Sequence, residues 1–226
     1  MQFRDQHWEL GLRLLESVEY YDQHRILIDS RPLHNQALSI IGPSQEPFYV
    51  AALTTGGKSG DEILYKYRLA NRLKANQLIT LADLPRFTED PSANFIFVDD
   101  IIGSGDQVLE TWRNIVGLLN PAHRFVLAVH LAFGKAVDKI ENEQGPRVVC
   151  NRILTEHDMV FANSNSRFSE AEKDILLRYC LRAKDWPRGY RNGELTVVFY
   201  YRTPDNSISI LRSRNPKWQG LFPRHP

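Results

Sequence analysis

The chain has 226 residues, 42% of them hydrophobic and 24% charged, and a formal net charge of +1. That length suits one large domain or a core with an appendage, and the near-neutral charge gives the whole chain no signature of nucleic-acid or membrane binding. No apolar run reaches membrane-spanning length, MQFRDQHWELG lacks a signal-peptide core, and Cys150 and Cys180 are too few for a disulfide framework or a zinc site. The expectation is a cytoplasmic protein with no membrane partner, its two cysteines filling the interior.

Residues 6–20 place Trp8, Leu10, Leu14, Leu15 and Val18 on one stripe, which predicts an amphipathic helix with Trp8 as a packing anchor. A second helix is expected over Ile26–Leu38. IIGPSQE is a turn segment, and Pro47–Leu53 reads as a buried strand. TTGGKSG follows, with a helix expected from about Asp61. Gly56, Gly57 and Gly60 surround Lys58 and Ser59, so backbone N–H groups and the Lys58 ammonium can hold an anion, although the spacing is not that of a Walker A loop. Lys66, Arg68, Arg72 and Lys74 read as a solvated helix face. Ile63, Leu64, Tyr67 and Leu73 are available for packing. The 20 residues from Ala75 to Asn94 read as a connection.

The most informative stretch is FIFVDDIIGSGDQ, Phe95 to Gln107. Phe95–Val98 predicts a buried strand, and Gln107–Leu119 an amphipathic helix. Between them lie Asp99 and Asp100, then Gly103, Ser104, Gly105 and Asp106. The glycines permit a tight turn with exposed N–H groups, and the helix start adds unpaired donors and partial positive charge. Such a turn suits phosphate. The carboxylates suit sugar hydroxyls, or Mg²⁺ carried by a phosphorylated ligand. Together they point to a phosphorylated sugar.

Further strands are expected at Phe125–Val129, Arg147–Cys150 and around Met159–Phe161, with a helix over AFGKAVDKIENEQG. His130 is expected just beyond a strand end, as a surface or packed histidine. A helix follows NSNSRFS, with Ser169 as N-cap and Glu172 at the capping-box position, or Ser166 as an alternative cap. WPRGYRNG breaks it, and ELTVVFYYRTPDNSISIL reads as two strands around a TPDN turn. From Leu181 onward, nine Lys and Arg stand against three Asp and Glu, interleaved with Trp186, Tyr190, Phe199, Tyr200, Tyr201, Trp218 and Phe222. This is either a solvated rim over a packed hairpin or a surface for a base or a partner, so direct nucleic-acid binding stays open.

The central stretch resembles the phosphoribosyltransferase signature of strand, acidic pair, two aliphatics and a Thr-Thr-Gly-x-Thr phosphate loop. Asp99 and Asp100 match the pair, and Ile101 and Ile102 the aliphatics. Gly103, Ser104, Gly105 and Asp106 cover the loop, with Ser104 as hydroxyl donor. Gly103 stands for the first Thr, and Gln107 for the last. The resemblance implies an α/β fold: a mostly parallel sheet of type I phosphoribosyltransferase-like architecture, with N-terminal helices and a C-terminal β-rich extension. It implies one domain over 1–226, divided into a helical extension at 1–46, a core at 47–163, and a helix with a basic aromatic β extension at 164–226.

The ligand implied is phosphoribosyl pyrophosphate or a nucleotide. Asp99 and Asp100 would grip the ribose, directly or through Mg²⁺, and residues 103–107 would receive the 5-phosphate. Lys58, Ser59 and Gly60 would steady pyrophosphate. Enzymes of this family place a catalytic flap between the two loops, and 20 residues leave no room for a full one. No residue presents itself as a general base, so no catalytic residue is assigned. A non-catalytic nucleotide sensor, a protein-interaction module and an N-glycosidic nucleotide hydrolase stand beside the transferase. The flanks WELGLRLLESVEYY, VVFYYRTPDN and KWQGLFPR resemble a divergent branch found in bacterial conflict or antiviral defence systems. That branch implies an effector or regulator with protein partners.

Overall fold

The computed structural model describes residues 2–42, 47–53, 58–216 and 218–223; for Lys58 it describes the backbone alone. In chain order the elements are α1 (Trp8–Glu16), β1 (Glu19–Tyr21), α2 (Gln23–Ile41), β2 (Phe48–Ala52), α3 (Lys58–Asn71), β3 (Asn94–Ile102), α4 (Asp106–Ile115), β4 (Arg124–Phe133), α5 (Gly134–Asn142), β5 (Arg147–Leu154), α6 (Glu170–Ala183), β6 (Val197–Phe199), α7 (Ser209–Arg212), β7 (Arg214–Asn215) and β8 (Trp218–Gln219). Two compact units result: Gln23–Ile153, and a second assembled from Met1–Asp22 with Leu154–Pro226. Among the described residues no helix is long and apolar enough to cross a membrane.

The first unit is built on a four-stranded sheet of order β2-β3-β4-β5, in which β2, β3 and β4 run parallel. This is the expected α/β architecture with its mostly parallel sheet. Alternation along β3 explains its layers. Phe95 and Phe97 join Trp112 and Ile115 of α4 and Ala136 and Ile140 of α5 in one apolar cluster. Elsewhere in the unit, α2 and α3 pack on each other and on β4 and β3. Ile26, Leu33, Ile63 and Tyr67 are almost wholly buried.

Both central strands outrun the apolar runs that announced them. β3 carries the acidic pair inside the ladder, with Asp99 opposite Val129 and Ile101 opposite Leu131. β4 continues to Phe133, so His130 is a buried strand residue and not one beyond a strand end. Lys66 also departs from expectation. It is buried, its ammonium meeting Glu62 at 3.7 Å and Gln23 Oε1 at 3.1 Å.

The second unit joins the two ends of the chain. Helix α1 stops at Glu16, four residues short of the expected end, because the β-prone run Val18–Tyr21 pairs parallel with β6 in the register Glu19 to Val197 and Tyr21 to Phe199. Leu10 and Leu14 are buried, but Trp8, the expected anchor, is 45% exposed. The expected strand at Met159–Phe161 is absent. Glu156–Asp158 forms a 3-10 turn there, capped by Thr155. The expected C-terminal hairpin is also absent. After β6 the chain turns tightly between Phe199 and Arg202, and the return segment becomes α7. Ser207 donates its hydroxyl to the Val197 carbonyl at 2.6 Å instead of extending a ladder. The Ser169–Glu172 capping box of α6 forms as expected.

Candidate functional site

The parallel register sets the site. Ala52, the last residue of β2, lies opposite Val98, and the Leu53 N–H donates to the Val98 carbonyl at 3.1 Å. The chain therefore leaves β2 beside the acidic pair of β3. Ligands gather at the carboxyl ends of parallel strands in open α/β sheets, which is where both glycine loops begin.

Asp99 and Asp100 are each 6% exposed. As neighbours in a strand they point to opposite sheet faces. Each carboxylate accepts a bond from the next backbone N–H: Asp99 Oδ1 from Asp100 at 2.8 Å, and Asp100 Oδ1 from Ile101 at 2.8 Å. These bonds constrain both side chains near the carboxyl end of β3, two to three residues before it ends at Ile102.

Beyond Ile102 the turn depends on Gly105. Its φ of 77° and ψ of −8° are left-handed, and it is the N-cap of α4. A Cβ there would press to 3.3 Å on the Ala136 carbonyl and on Ile140, so α5 closes the space behind it. Helix α4 starts at Asp106, one residue early. Ser104 Oγ donates to Asp106 Oδ2 at 2.9 Å and accepts from the Asp106 N–H at 3.4 Å. Gln107 follows in the first turn, whose N–H groups have no partner within the helix.

Lys139 completes this cluster, and nothing in the sequence singled it out. Its ammonium lies 2.5 Å from Asp106 Oδ1, reaching the loop from the last turn of α5. No motif could mark it, because its role arises only when α5 packs behind Gly105. A left-handed turn, a helix start, a hydroxyl and an ammonium thus follow directly after the strand that carries the two carboxylates. That set can hold a phosphate and the hydroxyls of the sugar that bears it.

The loop after β2 is described only in part. Thr54–Gly57, including Gly56 and Gly57, lie outside the described residues, as does the side chain of Lys58. Helix α3 starts at Lys58, three residues before the expected Asp61. Ser59 and Gly60 therefore belong to its first turn, and both are buried.

His130 lies on β4 one residue beyond Val129, the partner of Asp99. Its Nδ1 meets the Asn151 amide at 3.3 Å, and that amide also donates to the Asp29 carbonyl at 3.0 Å. Burial, with Arg25 adding to it, lowers its pKa to about 4. It is a neutral, packed histidine, which leaves the acids of β3 as the polar centre.

Residues 72–93, where a flap would stand, hold two 3-10 segments, Ala75–Gln77 and Leu81–Phe87. Leu84 is fully buried, and Ile79, Leu81 and Phe87 pack on the same cluster as Phe97. Leu78 bridges to Val50. The interval is a largely solvent-facing connection tied down through Leu84, Ile79, Leu81 and Phe87, and it forms no two-stranded hairpin.

Among the described residues no three His, Cys, Asp or Glu side chains gather as a metal site. Two carboxylates fall short of an all-protein cage, and they suit an Mg²⁺ that arrives on a ligand's phosphates.

A parallel sheet with an acidic strand exit and a left-handed turn into a helix start defines a phosphoribosyltransferase-like protein. The chain belongs to the PRTase-CE family, whose profile matches residues 1–224. Among solved structures, an orotate phosphoribosyltransferase from Aeropyrum pernix is similar at 15% identity and a TM-score of 0.35, over 56% of this chain and 74% of that one. No curated protein matches.

Proposed function

We propose that this chain binds phosphoribosyl pyrophosphate or a nucleotide at the carboxyl ends of β2 and β3. The observation that carries the reading is the pair Asp99 and Asp100 on the strand that leads into the Gly105 turn at the start of α4. Asp99 and Asp100 hold the ribose hydroxyls and the water around ligand-borne Mg²⁺. Residues Gly103–Gln107 receive the 5-phosphate through N–H groups and the Ser104 hydroxyl. Lys58, Ser59 and Gly60 meet the pyrophosphate from the start of α3. When bound, Mg²⁺ supplies charge neutralisation on the leaving group. The resemblance of the flanks extends the proposal to an effector or regulator of bacterial defence, working with protein partners.

One observation favours a sensor over a stand-alone transferase. Residues 72–93 hold two short 3-10 segments anchored by Leu84 and no pair of flap strands to close over the anomeric carbon and exclude water. Binding without efficient turnover is the expected behaviour of the isolated chain.

Calorimetric titration of phosphoribosyl pyrophosphate and nucleoside monophosphates with Mg²⁺ tests the site. Wild-type protein binds. Asp99→Asn with Asp100→Asn loses roughly 1.5–3 kcal/mol per charge-assisted hydrogen bond while staying folded. Unchanged affinity in the folded double variant sinks the assignment. Product analysis separates the activities: multiple-turnover transfer by the purified chain alone restores the ordinary enzyme, and release of free base identifies a hydrolase.

A further inference from the structure

The segment Lys184–Glu194 departs furthest from ordinary backbone. Lys184 has φ 59° and ψ −159°, a region that belongs to glycine. Asp185, Trp186, Arg191, Asn192 and Glu194 also carry positive φ. Such conformations persist only where the surroundings over-determine them, and they concentrate where a surface must be held in shape for a task.

The braces are visible. Arg212 is fully buried beneath the segment. It donates to the Asp185 carboxylate at 2.6 Å, to the Asp185 carbonyl, to the Trp186 carbonyl at 3.4 Å, and to the Ser207 carbonyl at 3.0 Å. Arg188 pairs at 2.5 Å with Glu194, whose second oxygen accepts from the Phe161 N–H at 3.2 Å. The Tyr190 N–H donates to the Asp205 carbonyl at 2.7 Å.

What they hold outward is aromatic and basic. Trp186 is 49% and Tyr190 36% exposed, with ring centroids 5.2 Å apart at 69°. The Arg191 guanidinium stands 5.7 Å from the Tyr190 ring. The two acids of the segment, Asp185 and Glu194, are engaged by Arg212 and Arg188, and the exposed cations are Lys184 and Arg191. The exposed rings stand beside exposed cations, the combination that takes both the bases and the backbone charge of a single strand. Of the aromatic tail residues, Phe199 and Trp218 are buried; Trp186 and Tyr190 form the exposed pair in contact.

We propose that this braced segment binds single-stranded nucleic acid, bases stacking on Trp186 and Tyr190 and phosphates meeting Lys184 and Arg191. Rigid aromatic faces accept any base, and the adjacent cations take the backbone charge. The proposal is independent of the ribose-phosphate site.

Fluorescence anisotropy of a labelled mixed-sequence single strand with the full-length chain, over a salt series, tests it. Wild-type protein binds at low salt, with log affinity falling linearly against log salt. Trp186→Ala and Tyr190→Ala each weaken binding about tenfold, and Trp186→Phe retains most of it. Arg191→Gln weakens binding and flattens the salt slope. Lys184→Gly relieves the backbone, so it raises the unfolding midpoint while lowering affinity, an outcome no purely structural role produces. Absence of low-salt binding by the wild type overturns the proposal, as does unchanged affinity in a natively folded Trp186→Ala Tyr190→Ala protein. Binding of polyglutamate but not of nucleic acid overturns it in favour of an acidic protein partner.

Discussion

Residues 23–153 and the unit formed by the chain ends solve the same packing problem by different means. In the first, β2, β3 and β4 are consecutive in sequence and adjacent in space. Its main cluster is apolar side chains set by strand and helix periodicity, with Asp99, Asp100 and Lys66 buried outside that cluster. In the second, β1 finds β6 across most of the chain, the Arg4 N–H donates to the Tyr179 hydroxyl at 3.0 Å, and Phe3 packs on Tyr179 and Trp218. Its interior contains charge: Arg212, Glu194 and Lys173 are all nearly inaccessible. Local pattern builds one unit, and long-range pairing with buried polar braces builds the other. Each should therefore fail under a different perturbation.

The largest expected effect is on the charged interior. Arg212→Met removes every donor that holds the Asp185–Trp186 turn and leaves carbonyls unpaired. Breaking a buried ion pair from one side costs roughly 3–5 kcal/mol, and the low end applies because Asp185 is half exposed. Hydrogen exchange read peptide by peptide should show protection lost first in residues 154–223. Equal loss in β2–β4 would mean that the two units unfold as one.

Acid separates the units by sign. Burial lowers the pKa values of both His34 and His130 to about 4, and both lie in the 23–153 unit. His34 faces the Tyr67 hydroxyl at 2.8 Å; His130 faces Asn151 and Arg25. An unfolded histidine titrates near 6.5 and takes up its proton first, so this stability is whole above about pH 6.5 and drains away as pH falls toward 4. The upper bound is about 3 kcal/mol per histidine. Glu194, in the other unit, is pushed the opposite way. Burial raises its pKa, with Arg188 opposing. The unfolded carboxylate therefore ionises first as pH rises, and Glu194 favours that unit at the acid end. Exchange measured between about pH 6.5 and pH 4 should show the 23–153 unit weakening more steeply. A His130→Asn variant should flatten that slope.

The same contrast explains what the sequence revealed. Apolar runs announced β2, β3 and β4, and the Asp-Asp-Gly-Ser-Gly order announced the turn into α4, because each depends on neighbours in the chain. Even there the ends were short: β3 and β4 continue through polar residues that pairing, not hydropathy, holds in the ladder. Lys139 was invisible because its role arises from the packing of α5. In the other unit a local reading failed where tertiary pairing overrode it. Val18–Tyr21 completes a helical stripe on paper but pairs with β6. The Ser207–Leu211 stretch alternates like a strand yet turns into α7, with Ser207 and Ser209 spending their hydroxyls on the Val197 and Cys180 carbonyls. Arg212, one of the nine basic residues counted after Leu181, is the most deeply buried cation among the described residues.

A smaller change tests how tightly the site's turn is specified. Gly105→Val puts a β-branched side chain at φ 77° and against the Ala136 carbonyl. Strain of roughly 1–3 kcal/mol is expected, within the stability of a folded domain. Thermal unfolding should shift modestly while titration of the phosphorylated ligand fails. A folded Gly105→Val protein with wild-type affinity would remove the turn from the phosphate site.

The smallest effect in stability is the most informative about charge. The pair of Lys139 with Asp106 is partly exposed on both sides, so Lys139→Met should cost no more than about 1 kcal/mol in unfolding. Its consequence for binding is larger in kind. In the free chain Asp106 already occupies the ammonium and the Ser104 hydroxyl, two donors that a phosphate needs. The anionic ligand must share them with a carboxylate of its own sign. Removing the cation leaves that repulsion unopposed, so affinity falls. Asp106→Asn removes the competing charge and leaves Lys139 in place, so affinity for inorganic phosphate rises. The variants thus move binding in opposite directions, while neither moves stability far. Calorimetry with inorganic phosphate, repeated at high salt, checks the sign. Parallel losses in the two variants would show that the pair supports the loop as a unit and that Asp106 does not compete with the ligand.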